Sequence, residues 1–131
     1  MRRILLVEDS ASTRSFVRSA LESSGTLSPL EIVEAASGFD ALRLLPRGPY
    51  DLVITDINMP DINGLELVQF IRKSDRHRST ALIIISTQSS ERDRTRGLSL
   101  GADDYLAKPL RADELVEAVS RLLAARPGVG G

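Results

Sequence analysis

Cysteine and tryptophan are absent from this chain, histidine occurs once, at His77, and aromatic residues make up only 4% of it. Without cysteine there is neither a disulfide nor a thiolate metal centre, and one histidine cannot build a histidine cluster. Long apolar runs are also missing. The first, Ile4 to Val7, follows Met1-Arg2-Arg3 and is too short for a signal-peptide core or a membrane span. The expected location is therefore cytoplasmic, with no membrane contact. Neither charge sign is in excess: 17 Lys and Arg face 18 Asp and Glu, a formal net charge of -1. A direct nucleic-acid footprint needs a basic excess gathered on one face, which this balance does not supply. Arg92, Arg94 and Arg96, interleaved with Asp93, read mainly as a solvated helix face, with a partner-docking surface as the second reading.

What the chain does have is aliphatic material. Its 131 residues are 42% hydrophobic, enough for the core of one domain. Ile4–Val7, Leu52–Thr55 and Ala81–Ile85 are short apolar runs without alternation, closed by Glu8-Asp9, Asp56 and Ser86. Strands buried on both faces read this way, because helices cover them above and below. Ile32-Val33 and Tyr105-Leu106 are weaker strand candidates.

Helical periodicity fills the intervals. Thr13, Phe16, Val17, Ala20 and Leu21 form one face of a helix that Gly25 is expected to end. Ala41, Leu42 and Leu45 form the next, with Ser37 and Asp40 spaced as a capping box. Leu65, Val68 and Ile71 mark a third, and Leu115, Val116, Val119, Leu122 and Leu123 the last. The helix between Ser90 and Leu100 has a thin apolar side interrupted by Gly97, at ~1 kcal/mol relative to Ala; it is expected to be the least firmly anchored. Five strands alternating with five helices indicate an open parallel α/β sheet. Residues 1–124 form the expected domain, and residues 125–131 a flexible tail or the start of a linker.

In such sheets function gathers at the carboxyl ends of the strands, near a topological switch point. Those ends carry Glu8-Asp9, Asp56, Ser86-Thr87 and Lys108-Pro109. Taken singly, each has a plain reading: Glu8 and Asp9 as first-turn helix acids, Asp56 as a loop residue, Ser86 bonded to local backbone, Lys108 as a surface cation. Together they describe a site. Two unit charges about 4 Å apart repel by ~4 kcal/mol at an effective dielectric of about 20. A hard divalent cation removes that repulsion, and magnesium prefers carboxylates, waters and a phosphate. A carboxylate can attack phosphorus, while Lys108 and Ser86 offer a cation and a donor for the phosphoryl oxygens. A dinucleotide-binding domain shares the sheet class, but no GxGxxG follows the first strand.

The stretches ILLVEDS at Ile4–Ser10, DLVITDINMPDINGLEL at Asp51–Leu67 and LGADDYLAKPL at Leu100–Leu110 resemble the receiver domain of bacterial two-component response regulators, the CheY-like superfamily. The resemblance covers residues 3–124. It implies a doubly wound, flavodoxin-like (βα)5 fold with strand order 2-1-3-4-5. It also implies a phosphoacceptor at Asp56, magnesium (or manganese) held by Asp9, Asp56 and the backbone carbonyl of Asn58, and Glu8 reaching the ion through a water. Ser86 and Lys108 then bind the phosphoryl group, Ser86 and Tyr105 form the switch, and Asn58, Thr87 and Gln88 tune rates. Lys108–Pro109 is expected to be a cis peptide. Glu8, often Asp in the family, and Thr87, usually Ala or Gly, depart from the commonest pattern. Ser23–Leu30, with Gly25 and Pro29, is longer than usual.

The implied partners are a histidine kinase or histidine phosphotransfer protein, and a downstream protein target or fused output domain. The implied state is a monomer or a weak phosphorylation-dependent dimer. Such a domain promotes its own phosphorylation and dephosphorylation without being a conventional turnover enzyme. The competing reading is a receiver fold that docks or dimerises without phosphorylation. Nothing after Leu123 has the pattern of an output domain, so the chain reads either as a stand-alone regulator or as a receiver cut from a longer protein.

Overall fold

A computed structural model of the chain describes residues 1–88 and 90–125. Beyond Ala125, the expected tail lies outside the described residues. The aliphatic runs become β1 (Arg2–Val7), β3 (Leu52–Asp56) and β4 (Ala81–Ser86), and the two weaker candidates become β2 (Leu30–Ala35) and β5 (Asp104–Ala107). All pair in parallel in the order β2-β1-β3-β4-β5. The intervening helices are α1 (Ala11–Glu22), α2 (Gly38–Leu44), α3 (Gly64–Lys73), α4 (Glu91–Ser99) and α5 (Ala112–Ala124). This is the doubly wound sheet expected.

The unbroken apolar runs are explained by a core on each side of the sheet. Ile4, Leu6, Leu52, Ile54, Ala81, Ile83 and Ile85 face α1 and α5. Their neighbours Leu5, Val7, Val53, Leu82 and Ile84 face α2, α3 and α4. Each fully buried side chain of this size stabilises the fold by ~1.5–3 kcal/mol relative to an exposed one. Edge strands β2 and β5 each have one neighbour in the sheet and are only partly buried, so their apolar signal is faint.

The helices depart from expectation in instructive places. Ser10 caps α1 by accepting from Thr13 N, and α1 stops at Glu22, before Gly25. Phe16, expected on the inner face of α1, is 40% exposed; Val17 and Leu21 carry the burial. In the following loop Leu27 turns back into the core. At α2, Ser37 accepts from Asp40 N, but Asp40 bonds to Ala36 N, one residue short of a reciprocal box. Leu44 lies deeper there than Leu42. The α3 start has the full reciprocal box, between Asn63 and Glu66.

Gly97 is the only buried residue of α4. A Cβ there would lie 2.9 Å from Ile84 Cδ1 and 3.0 Å from Tyr105 Cδ2. The glycine is therefore the point of closest approach between α4 and the sheet, not a mere interruption. Arg94, read as part of a solvated face, donates to Tyr105 O at 2.7 Å and pins the helix to β5. Lys108–Pro109 is cis, as are Ser28–Pro29 and Gly48–Pro49. No helix among the described residues is long and apolar enough to cross a membrane.

Candidate functional site

Strand order reverses between β1 and β3, and the acidic residues stand on either side of that reversal. Two backbone bonds extend the ladders past the strand ends: Glu8 N donates to Ala35 O at 3.0 Å, and Lys108 N donates to Ser86 O at 2.8 Å. Alternation then sorts the site. Glu8 continues the Ile4–Leu6 series, Asp56 the Leu52–Ile54 series, and Lys108 follows Leu106, all on the α1/α5 side. Ser86 continues the Leu82–Ile84 series on the opposite side, where Tyr105 is also buried.

Glu8, Asp9 and Asp56 each bring a carboxylate oxygen within 4.8 Å of the others. Glu8 is fully buried, Asp56 is 4% exposed and Asp9 is open to solvent. Lys108 Nζ donates to Glu8 Oε1 at 2.7 Å and stands 3.4 Å from Asp56 Oδ2. The other Glu8 oxygen accepts from Ser10 N at 2.9 Å, and Asp56 Oδ1 accepts from Ile57 N at 2.8 Å. Asp9 is therefore the carboxylate nearest solvent, and Asp56 is flanked by a cation on one side and a backbone donor on the other.

Burial drives the Glu8 pKa above the ordinary carboxylate value; the bonds from Lys108 and Ser10 oppose the shift, and neighbouring Asp9 and Asp56 reinforce it. For Lys108, burial works against the ammonium, but the bond to Glu8 and the charge of Asp56 outweigh it and raise its pKa. Lys108 thus stays an ammonium beside the carboxylates. Three carboxylates beside one ammonium leave an excess of negative charge that a divalent cation would cancel, and an all-oxygen donor set suits a hard ion. The residues fit magnesium.

A second group surrounds Gln88. Ser86, fully buried, accepts from Gln88 N at 2.9 Å. The hydroxyl of Tyr105, a residue only 2% exposed, donates to Gln88 O. The Gln88 side chain donates to Asn58 Oδ1 at 3.3 Å. Ser86, Asn58 and Tyr105 therefore all meet one residue, while Thr87 lies exposed beside it. The Tyr105 ring is packed inward, with its hydroxyl on a backbone carbonyl. Sequence reasoning did not find Arg14, whose guanidinium donates to Glu8 O at 2.7 Å, or Asp61, which accepts from the amides of Gly38 and Phe39. Only Arg14 left a signal, a basic residue one turn after the Ser10 cap; the α2 contact of Asp61 is wholly tertiary.

The response regulator receiver domain family matches residues 4–120. The chain belongs to that family. A probable transcriptional regulatory protein of Picosynechococcus is 40% identical over 128 residues, 92% of this chain and 49% of that protein. The transcriptional regulatory protein PcoR of Escherichia coli is 35% identical over 123 residues, 94% of this chain and 52% of its own length. The receiver thus spans about half the length of these curated relatives. Among solved structures, the receiver domain of Francisella response regulator 1452 superposes with a TM-score of 0.86 at 30% identity, covering 95% of this chain and 98% of that one. The chemotaxis response regulator CheY4 of Vibrio cholerae does so with a TM-score of 0.84 at 30% identity, over 93% and 98%.

Proposed function

We propose that this receiver accepts a phosphoryl group on Asp56 from a histidine kinase or histidine phosphotransfer protein and passes the signal on through protein contacts. The observation that carries the reading is the placement of Asp56. One carboxylate oxygen is held by the Ile57 amide, and the other faces Lys108 within a cluster of three carboxylates.

In the transfer, an Asp56 oxygen forms the new O–P bond while the donor's P–N bond breaks, and its electron pair returns to the donor imidazole. Lys108 neutralises charge on the phosphoryl oxygens, and its bond to Glu8 keeps the ammonium in place. Asp9, Asp56, the Asn58 backbone carbonyl and Glu8, the last through a water, would hold magnesium (or manganese), which supplies further charge neutralisation at phosphorus. Hydrolysis reverses the gain: a water oxygen bonds to phosphorus, the P–O bond to Asp56 breaks, and the carboxylate is restored. The Asn58–Gln88 pair and exposed Thr87 flank the route for that water.

Signalling follows from the Gln88 bracket. When Ser86 turns to a phosphoryl oxygen, the Gln88 amide loses its partner, and the segment that also receives the Tyr105 hydroxyl is freed to move with α4. The output is a downstream protein or a fused domain, in the cytoplasm, by a monomer or a weak phosphorylation-dependent dimer.

Incubating the protein with acetyl phosphate and magnesium tests this. Uptake of one phosphoryl group, lost on adding a chelator and lost in Asp56→Asn, is expected. Undiminished magnesium-dependent uptake by Asp56→Asn would remove Asp56 from the role. A wild type that binds no magnesium at millimolar concentration would favour docking without phosphorylation.

A further inference from the structure

The loop between β3 and α3 carries Asn58 only two residues after Asp56, and its ends are drawn together by Gly64 N donating to Ile57 O at 2.8 Å. Its middle is held from outside. Asp61 Oδ1 accepts from Gly38 N at 3.0 Å and from Ile62 N at 2.7 Å, and Oδ2 accepts from Phe39 N at 2.9 Å. Both carboxylate oxygens are thus spent on backbone amides, two of them at the start of α2. The Phe39 amide first, then those of Ile62 and Gly38, lower the Asp61 pKa to about 2, so the carboxylate stays an acceptor throughout the physiological range. The approach is close as well: a Cβ on Gly38 would come within 2.7 Å of both Ile62 Cβ and Ile62 O. Ser37 and Asp40 already cap α2 from its own side, so Asp61 is not needed to begin that helix.

We infer that Asp61 is a positioning residue for the phosphoryl-transfer pocket: by latching the β3–α3 loop to α2 it sets where Asn58 stands beside Asp56, and so how tightly the pocket takes a divalent cation. This rests on the reading of Glu8, Asp9 and Asp56 as the cation's carboxylates. The latch acts through the loop and touches no reacting atom. Asp61→Ala removes both acceptor oxygens. Asp61→Asn keeps one, but its amide nitrogen would meet the Phe39 or Gly38 donor, so it restores the latch only in part. Gly38→Ala loosens the same contact from the other side by pressing a methyl group on Ile62.

The test titrates magnesium ion alone into the full chain, following amide chemical shifts, and measures hydrogen exchange at Gly38 and Phe39 without the ion. In Asp61→Ala, protection at both amides is lost and half-saturation moves to higher magnesium by on the order of tenfold, the scale of outer-shell partners of metal ligands. Asp61→Asn falls between it and the wild type, and Gly38→Ala shifts the same way. At saturating magnesium, phosphorylation by acetyl phosphate returns close to the wild-type rate. Variants that melt earlier but keep the wild-type half-saturation would show Asp61 to be a structural cap only, and would overturn the inference. A wild type that binds no magnesium would instead bring down the reading of the carboxylates, and the inference with it.

Discussion

Replacing Gly64 with alanine tests how closely α3 is fitted to the phosphoacceptor. A Cβ at Gly64 would overlap the carbonyl oxygen of Asp56, lie 2.8 Å from its carbonyl carbon and 2.9 Å from Ile57 Cα. All three are backbone atoms, so no rotamer change relieves the clash. Ordinary van der Waals contact begins at 3.4 Å, and to bring the Asp56 carbonyl oxygen to that distance the strand end and the helix must part by more than an ångström. Alanine gains roughly 1 kcal/mol over glycine within a helix, which favours the variant. Overpacking costs about 1–3 kcal/mol, and immovable backbone places this site at the upper end. The net expectation is a loss of about 2 kcal/mol, or roughly 8 °C in Tm for a domain of this size. Gly25 is the control, because nothing lies within 4 Å of a Cβ there and its φ is not positive. Gly25→Ala should be neutral or stabilise by about 0.4–1 kcal/mol through the unfolded state. Urea denaturation of both variants and the wild type measures the difference, and phosphoryl uptake should fall only in Gly64→Ala. If Gly64→Ala lies within about 0.5 kcal/mol of the wild type, the close fit of α3 to Asp56 is wrong.

Further outcomes follow from the same contacts. Lys108→Met strips the fully buried Glu8 of its 2.7 Å partner, a change that costs about 3–5 kcal/mol when the remaining charge stays buried. Glu8 then takes up a proton at still higher pH than its unfolded form, so the loss should be greatest at neutral pH and shrink on acidification; an equal loss across pH 5–8 in urea titrations would refute this. His77 is buried, and burial first, then the charge of Arg76, lowers its pKa. A lowered histidine pKa means the unfolded chain binds the proton more readily. Stability should therefore be full above about 6.5, the ordinary histidine value, and fall as pH drops below it; a His77→Gln variant with the same acid slope would contradict that assignment. Tyr105→Phe deletes the hydroxyl that donates to Gln88 O and should cost about 1 kcal/mol, with faster exchange at the Gln88 amide, which donates to Ser86; unchanged exchange there would separate the ring from the Gln88 bracket.

Much of this site was legible because parallel strands covered on both faces must be aliphatic along their length, so a polar residue ending such a run stands out. Glu8, Asp56 and Ser86 were visible for that reason, and the parity of the runs places Glu8, Asp56 and Lys108 on one side. Less legible were features that depend on what another element does. Phe16 keeps helical spacing yet is exposed, since α1 buries only a narrow stripe through Val17 and Leu21. Gly97 looked like a weak point in a helix until Ile84 and Tyr105 were seen packed against it. Arg94 read as solvent-facing because its acceptor is a backbone carbonyl of β5, which no side-chain pattern advertises. Asp61 is hidden in the same way, its partners being amides of α2 more than twenty residues earlier. The resemblance supplied the role of Asp56 as phosphoacceptor; the spacing alone supplied a carboxylate site suited to a divalent cation.

The central claim is that Asp56 itself carries the phosphoryl group, and direct localisation of the bond tests it most plainly. Protein phosphorylated with acetyl phosphate and magnesium would be reduced with borohydride, which converts an acyl phosphate to an alcohol, then digested and sequenced by mass spectrometry. Conversion of Asp56 to homoserine, with Glu8 and Asp9 unmodified, is the predicted result. Homoserine at position 9, a reduced Glu8, or no reduced residue in a protein that has taken up phosphate would contradict it.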